Sequence, residues 1–100
     1  MSLVSLSSGE TIPSYATTVY FNNSDNGDSL TLPSGVAPGY RCTIITKVDD
    51  KTVALSGAKV NGATAGTSSA GSPMIMLTYT GEDGFIAQRI DRSLYTTVKF

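Results

Sequence analysis

Short β-rich runs separated by turn residues fill this chain, and this pattern limits its fold more than any other feature. Glycine, proline, asparagine and aspartate punctuate the runs. No apolar pattern at helical spacing continues for three turns. Runs of this kind are typical of closely packed β structure. The sequence therefore predicts an all-β fold, a single compact antiparallel β-sandwich or barrel of about seven to eight short strands.

Alternation within the runs assigns side chains to faces, since successive residues of a strand point to opposite sides. Val19 and Phe21 should share one face, with Tyr20 opposite. Ile44 and Ile45 should likewise lie on opposite faces. Residues 1–15 are expected to form an N-terminal arm or an edge strand, and residues 16–100 the β domain.

Turn residues predict how the runs are connected. Asn26-Gly27 is typical of a type I′ hairpin turn, in which both central residues have positive φ. Asp49-Asp50 and the segment 81–84 are further turn candidates. The predicted antiparallel hairpins join residues 17–21 to 28–32, 40–48 to 51–56, and 74–80 to 85–90, with a long loop at 58–72 and a last strand at 94–100.

Composition excludes several classes of partner. The net charge is −1, and the seven Lys and Arg residues are scattered, so nucleic acid is not an expected partner. No apolar run approaches the roughly 20 residues of a membrane span, so no membrane partner is expected. No signal peptide is visible, which predicts synthesis in a cytoplasm.

Residue types that carry chemistry are scarce. The chain has no His, and its one cysteine, Cys42, lies in an apolar run where a buried side chain is expected. The turn segment 22–28 resembles a calcium loop, but aligning Gly27 with the invariant glycine of such loops puts Pro33 where a bidentate Glu is needed. A solvated turn is the favoured interpretation, and we expect neither a metal nor a cofactor.

Paired carboxylates for glycoside cleavage are the remaining catalytic alternative. Asp49 and Asp50 form one pair, and Glu82 and Asp83 form another. Both pairs lie in predicted turns, where acidic residues are common, and no Trp is available to bind a sugar. We therefore expect no catalytic residues and no enzymatic activity.

Apolar residues occur on both faces of neighbouring runs. Met74 and Met76 alternate with Ile75 and Leu77, so a single core cannot take all four side chains from one face. Exposed apolar surface usually marks an interface, which favours self-association.

The order of motifs from Leu30 onward resembles a small β domain of tailed-bacteriophage virion proteins, found in head fibres, capsid decoration proteins and tail-fibre modules. A strand ends in Thr31-Leu32-Pro33, and a Pro38-Gly39 corner opens the next strand. The sequences Thr-Val-x-Leu at 52–55, Asn-Gly at 61–62 and Leu-Thr-Tyr at 77–79 follow in order, and then an aromatic strand at Phe85. The resemblance covers about two thirds of the chain.

This resemblance implies a non-enzymatic structural protein on the virion surface. It implies a homotrimer, the major capsid protein as partner, and a capsid decoration (cement) or head-fibre role. The chain has no repeated shaft, which favours a compact decoration protein over a long fibre. We expect residues 1–13 to contact the capsid. The expected interface residues are Leu3, Val4, Leu6, Ile45, Met74, Met76 and Phe85.

A carbohydrate- or receptor-binding β module of a tail fibre is the alternative. Sugar sites usually stack sugar rings on exposed aromatic side chains. The chain supplies five Tyr and three Phe for that purpose.

Overall fold

The structure, a computed structural model, describes residues 2–63, 67–69 and 71–90. The predicted last strand at 94–100 lies outside these residues. Every regular element in the described part is a β-strand, so the all-β prediction is confirmed. The strands are β1 (Leu3–Ser7), β2 (Glu10–Thr11), β3 (Thr18–Asn22), β4 (Asp28–Thr31), β5 (Arg41–Thr46), β6 (Val53–Ser56), β7 (Thr67–Ser69), β8 (Met74–Gly81) and β9 (Gly84–Ile90).

The strands form two sheets that share one core. The five-stranded sheet has the order β1-β3-β5-β8-β9, and the four-stranded sheet has the order β2-β4-β6-β7. From β1 to β6 the chain alternates between the sheets, and each strand pairs in parallel with the strand two positions earlier. The first six strands therefore wind as stacked coils, in the manner of a two-sheet β-solenoid.

The parallel pairing corrects two of the predicted hairpins. The strand at 18–22 does not pair with that at 28–31, and the strand at 41–46 does not pair with that at 53–56, because each pair of neighbours lies in different sheets. Gly27 has a φ of 83°, but among the described non-glycine residues only Asn61 has a positive φ. Asn26 therefore does not form the type I′ turn that would return the chain along its own strand.

Antiparallel pairing occurs in the later part of the described chain. β8 pairs antiparallel with β5, and β7 with β6. The predicted hairpin between β8 and β9 is confirmed, with Met74 opposite Ile90 and Tyr79 opposite Phe85. The predicted loop at 58–72 contains β7 and a bridge from Val60 to Phe85.

Stacked turns fix the height of one coil above the next. The side chain of Asn23, buried and 25 residues from Val48, donates to the Val48 carbonyl at 2.7 Å and accepts from the Val48 N–H at 2.9 Å. Four residues further along, the Gly27 N–H donates to the Thr52 carbonyl at 3.1 Å. The Thr52 N–H donates to the Asn26 side-chain oxygen at 2.9 Å. These bonds tie each turn to the next one.

The core lies between the two sheets. Val19, Ile44 and Ile75 contribute from the five-stranded sheet, and Leu30 and Leu55 from the four-stranded one. All five are at most 2% exposed. The predicted burial of Cys42 is confirmed.

Gly84 begins β9 where the chain passes close to another segment. A Cβ at this position would lie 2.5 Å from the Lys59 carbonyl oxygen, and the residue has a φ of 73°. Only glycine meets both conditions. The close approach lets the Phe85 N–H donate to the Lys59 carbonyl at 2.9 Å.

Candidate interaction surface

The side of the five-stranded sheet that faces away from the core carries a band of apolar side chains, here called the outer face. The strand register places Tyr20, Ile45, Met74 and Ile90 side by side across four strands. Residues that are paired across neighbouring strands have their side chains on the same face of the sheet, so all four side chains point away from the core. The remaining apolar members of the outer face are Leu3, Met76 and Ile86.

Several of these side chains are strongly exposed for apolar residues. Leu3 is 61% exposed, Ile86 40%, Met76 39% and Ile45 36%. All five strands of the sheet contribute to the outer face, and Tyr20, Ile45, Met74 and Ile90 are direct neighbours across four of them, so the apolar side chains form one patch. Contiguous exposed apolar surface of this kind is characteristic of interaction sites.

A shallow groove of about 470 Å³ runs through the outer face. Ile45, Pro73, Met74, Met76 and Ile90 line it. None of the described residues that line this groove is charged. Methionine side chains are flexible and polarizable, and they adapt well to partner surfaces.

The structure brings together some of the predicted interface residues and separates others. Leu3, Ile45, Met74 and Met76 all belong to the outer face. Val4 points inward and packs against the core. Leu6 and Phe85 are 8% and 1% exposed, so they belong to the core and not to this surface.

Sequence reasoning omitted Tyr20, Ile86 and Ile90 from the interface. Alternation along residues 17–21 puts Tyr20 on the face opposite to Val19 and Phe21, and this pattern is the sequence signal for its position on the outer face. The missing information was the pairing of β3 beside β5.

The carboxylate pairs considered for catalysis lie in two separate turns. Asp49 and Asp50 are in the turn after β5, and Glu82 and Asp83 join β8 to β9. The structure therefore keeps each pair in the turn position that the sequence favoured.

In the turn segment 22–28, which resembles a calcium loop, the Asp28 carboxylate accepts hydrogen bonds from the backbone of the same turn. Asp28 accepts from the N–H groups of Ser24 at 2.8 Å and Asp25 at 3.0 Å. These backbone hydrogen bonds lower the pKa of the Asp28 carboxyl below its usual value. Among the residues that the structure describes, no group of three or more His, Cys, Asp or Glu is placed to hold a metal ion.

Cys42 and Tyr40 are held in a poorly hydrated environment. Burial raises the pKa of the Cys42 thiol, which disfavours the reactive thiolate. Burial likewise raises the pKa of the Tyr40 hydroxyl, which donates to the Ala16 carbonyl. Both side chains act as structural groups.

Comparisons with known proteins add no relative. No protein-family model matches the chain, and no curated protein matches it. The described part of the chain also contains no helix long and apolar enough to span a membrane.

Proposed function

We propose that this chain is a non-enzymatic structural protein of a tailed-bacteriophage virion, a capsid decoration (cement) or head-fibre protein attached to the capsid surface as a homotrimer. The motifs from Thr31 to Phe85 support the virion assignment by resemblance. The observation that carries the assembly role is the outer face, an apolar surface on a sheet whose other side already packs the core.

Self-association would remove this surface from water. Burial of apolar area contributes roughly 25 cal/mol per Å², and the exposed Leu, Ile and Met side chains provide that area. The described lining of the groove through Ile45 and Met76 carries no charge that a neighbouring copy would need to neutralise. The apolar row from Tyr20 to Ile90 suits packing against an identical row, with the outward-facing Arg41 outside the groove, and the homotrimer would supply the major capsid protein with a rigid β knob.

The coiled architecture also suits a protein that works by shape. The parallel strands of each coil are tied by turn bonds such as that from Asn23 to Val48, so the chain presents a fixed surface. A decoration protein requires a rigid body and adhesive faces, without chemistry.

The oligomeric state tests the outer face directly. At low micromolar concentration, light scattering behind a sizing column should give about three times the 10.4 kDa chain mass. Met76→Lys should weaken the trimer by roughly 100-fold or more, because it buries an unpaired charge in the contact. Ala37→Lys, an exposed loop substitution of the same charge, is the matched control and should leave the trimer intact. A monomeric wild-type chain would refute the homotrimer.

Location on the virion is a separate prediction. Antibodies raised against the folded chain should label the heads of intact particles of the phage that encodes it, as seen by immunogold electron microscopy. Labelling requires no disruption of the particle, since a decoration protein lies on the outer surface. Label confined to tails would support the tail-fibre alternative, and unlabelled particles would refute a surface role.

A further inference from the structure

Among the strands that the structure describes, β1 forms one edge of the five-stranded sheet, and half of its backbone hydrogen-bonding groups face outward. The Thr18 N–H donates to the Ser2 carbonyl at 3.2 Å, which fixes the phase of the parallel ladder between β1 and β3. In that phase, residues 2, 4 and 6 bond to β3, and the backbone groups of Leu3, Ser5 and Ser7 point away from the sheet.

This edge lacks the features that usually protect an exposed strand. Natural edge strands carry charged side chains, proline or bulges that block pairing with another chain. β1 reads LVSLS, without a charge or a proline, and its register with β3 is unbroken. One partial block exists, since the Ser7 N–H donates to a Glu10 carboxylate oxygen at 2.7 Å.

The sequence of β1 is complementary to itself in one register. When two copies are placed antiparallel about Ser5, Val4 of one copy lies opposite Leu6 of the other, and Leu3 lies opposite Ser7. Val4 and Leu6 both face the core side of the sheet, so inward apolar residues meet inward apolar residues. Leu3, Ser5 and Ser7 are all exposed on the outer side. This register pairs all five residues of β1, and any shift along the strand pairs fewer of them.

Charge also favours an identical partner. β1 contains no ionisable side chain, so its own side chains bring no like-charge repulsion into a pair of copies. The Glu10 carboxylate at the Ser7 end of the edge must leave the Ser7 N–H when the two strands pair.

We propose that two copies of this chain pair β1 against β1, antiparallel and centred on Ser5. The contact goes beyond the homotrimer of the outer face, since it is two-fold and uses a sheet edge. It joins two five-stranded sheets into one continuous sheet, with Leu3 of each copy opposite Ser7 of the other on the outer side. If the trimer also forms, the β1 pair connects neighbouring trimers at concentrations above the low micromolar range in which the trimer is expected alone.

Disulfide trapping tests both the contact and its register. Opposed residues in an antiparallel hydrogen-bonded pair have Cα atoms about 5.5 Å apart, within reach of a disulfide. Ser5→Cys should therefore give covalent dimers under mild oxidation. Ser7→Cys is the matched control on the same strand and face. In the proposed register its two copies are four positions apart, about 13 Å, which is beyond disulfide reach.

The readout is the rate of covalent dimer formation on a non-reducing denaturing gel, with circular dichroism confirming that both variants fold. Ser5→Cys should cross-link at least tenfold faster than Ser7→Cys. The wild-type chain should not cross-link, because Cys42 is buried. Equal rates for the two variants, or a Ser5→Cys rate no faster than wild type, would overturn the proposal.

A second background separates this contact from the trimer. Ser5→Cys combined with Met76→Lys should still cross-link at a similar rate, because Met76 lies on β8, away from the β1 edge. A loss of more than tenfold in that background would show that the trapped pairs come from the outer-face contact, and the β1 pair would be rejected. A monomeric wild-type mass would refute the trimer and would limit the β1 pair to higher concentrations, at which a Ser5→Cys rate no faster than that of Ser7→Cys would refute the pair as well.

Discussion

Phe85→Ala should destabilise the fold by about 4 kcal/mol, the range found when a buried aromatic is truncated. Phe85 is 1% exposed, and its ring centroid lies 5.0 Å from that of Tyr79. Its backbone also connects β9 to the preceding segment, since the Asn61 N–H donates to the Phe85 carbonyl at 2.9 Å. A small domain has only about 5–15 kcal/mol of stability, so this loss would leave the variant near unfolding.

Urea denaturation at fixed protein concentration measures this effect. The control is Tyr15→Ala, which truncates another aromatic side chain that is 68% exposed and lies outside the strands. It should cost under about 1 kcal/mol. The Phe85→Ala midpoint should fall by about 2 M. A Phe85→Ala variant of wild-type stability that no longer formed trimers would contradict the burial and return Phe85 to the interface.

Asn23→Ala should cost about 3 kcal/mol, although it removes only a small polar side chain. Both bonds from Asn23 go to the backbone of Val48, one residue that has no alternative partner among the described groups. Truncation removes two hydrogen bonds and leaves a donor and an acceptor unsatisfied, each costing about 1–3 kcal/mol where it is buried. The loss should appear as a shift in the urea midpoint with little change in slope.

Two variants define the cause. Asn22→Ala, at the exposed end of β3, should change stability by less than about 0.5 kcal/mol. Asn23→Asp keeps an acceptor for the Val48 N–H but replaces the donor that faces the Val48 carbonyl, 2.7 Å away, with a carboxylate oxygen. It should therefore be as damaging as Asn23→Ala. A stable Asn23→Asp variant would show that the donated bond contributes little.

Local alternation predicted which residues are buried. Val19 and Phe21 are buried, and Ile44 and Ile45 lie on opposite faces as expected. The period of a strand is two regardless of its partner, so these assignments do not depend on sheet topology. For the same reason alternation carried no information about which strands lie side by side.

Pairing required information that the local sequence does not hold. Parallel partners lie between 15 residues apart, as for Leu3 and Thr18, and 25 residues apart, as for Thr31 and Ser56. Asn26-Gly27 predicts a hairpin turn, but this dipeptide also occurs in other types of turn. Hydrogen bonds of Asn26 and Gly27 with Thr52 stabilise a different turn in this protein. The local hairpin between β8 and β9 was predictable because its two strands are joined by a short turn.

The outer face was only partly predictable for the same reason. Met74 and Met76 were identified because their strand is apolar on both sides. Tyr20 and Ile90 join them only through the neighbouring strands of the sheet. A patch is a property of several strands, whereas each prediction used one.

The reversal of direction at β8 sets a limit on growth. In the order β1-β3-β5, neighbouring strands pair in parallel. A further coil could therefore be added beside β5 in the same way. β8 runs the opposite way beside β5, and a further parallel coil cannot continue from there. The antiparallel β8 therefore ends the series of parallel coils on this side of the sheet, so strand direction limits the number of coils that the fold can contain.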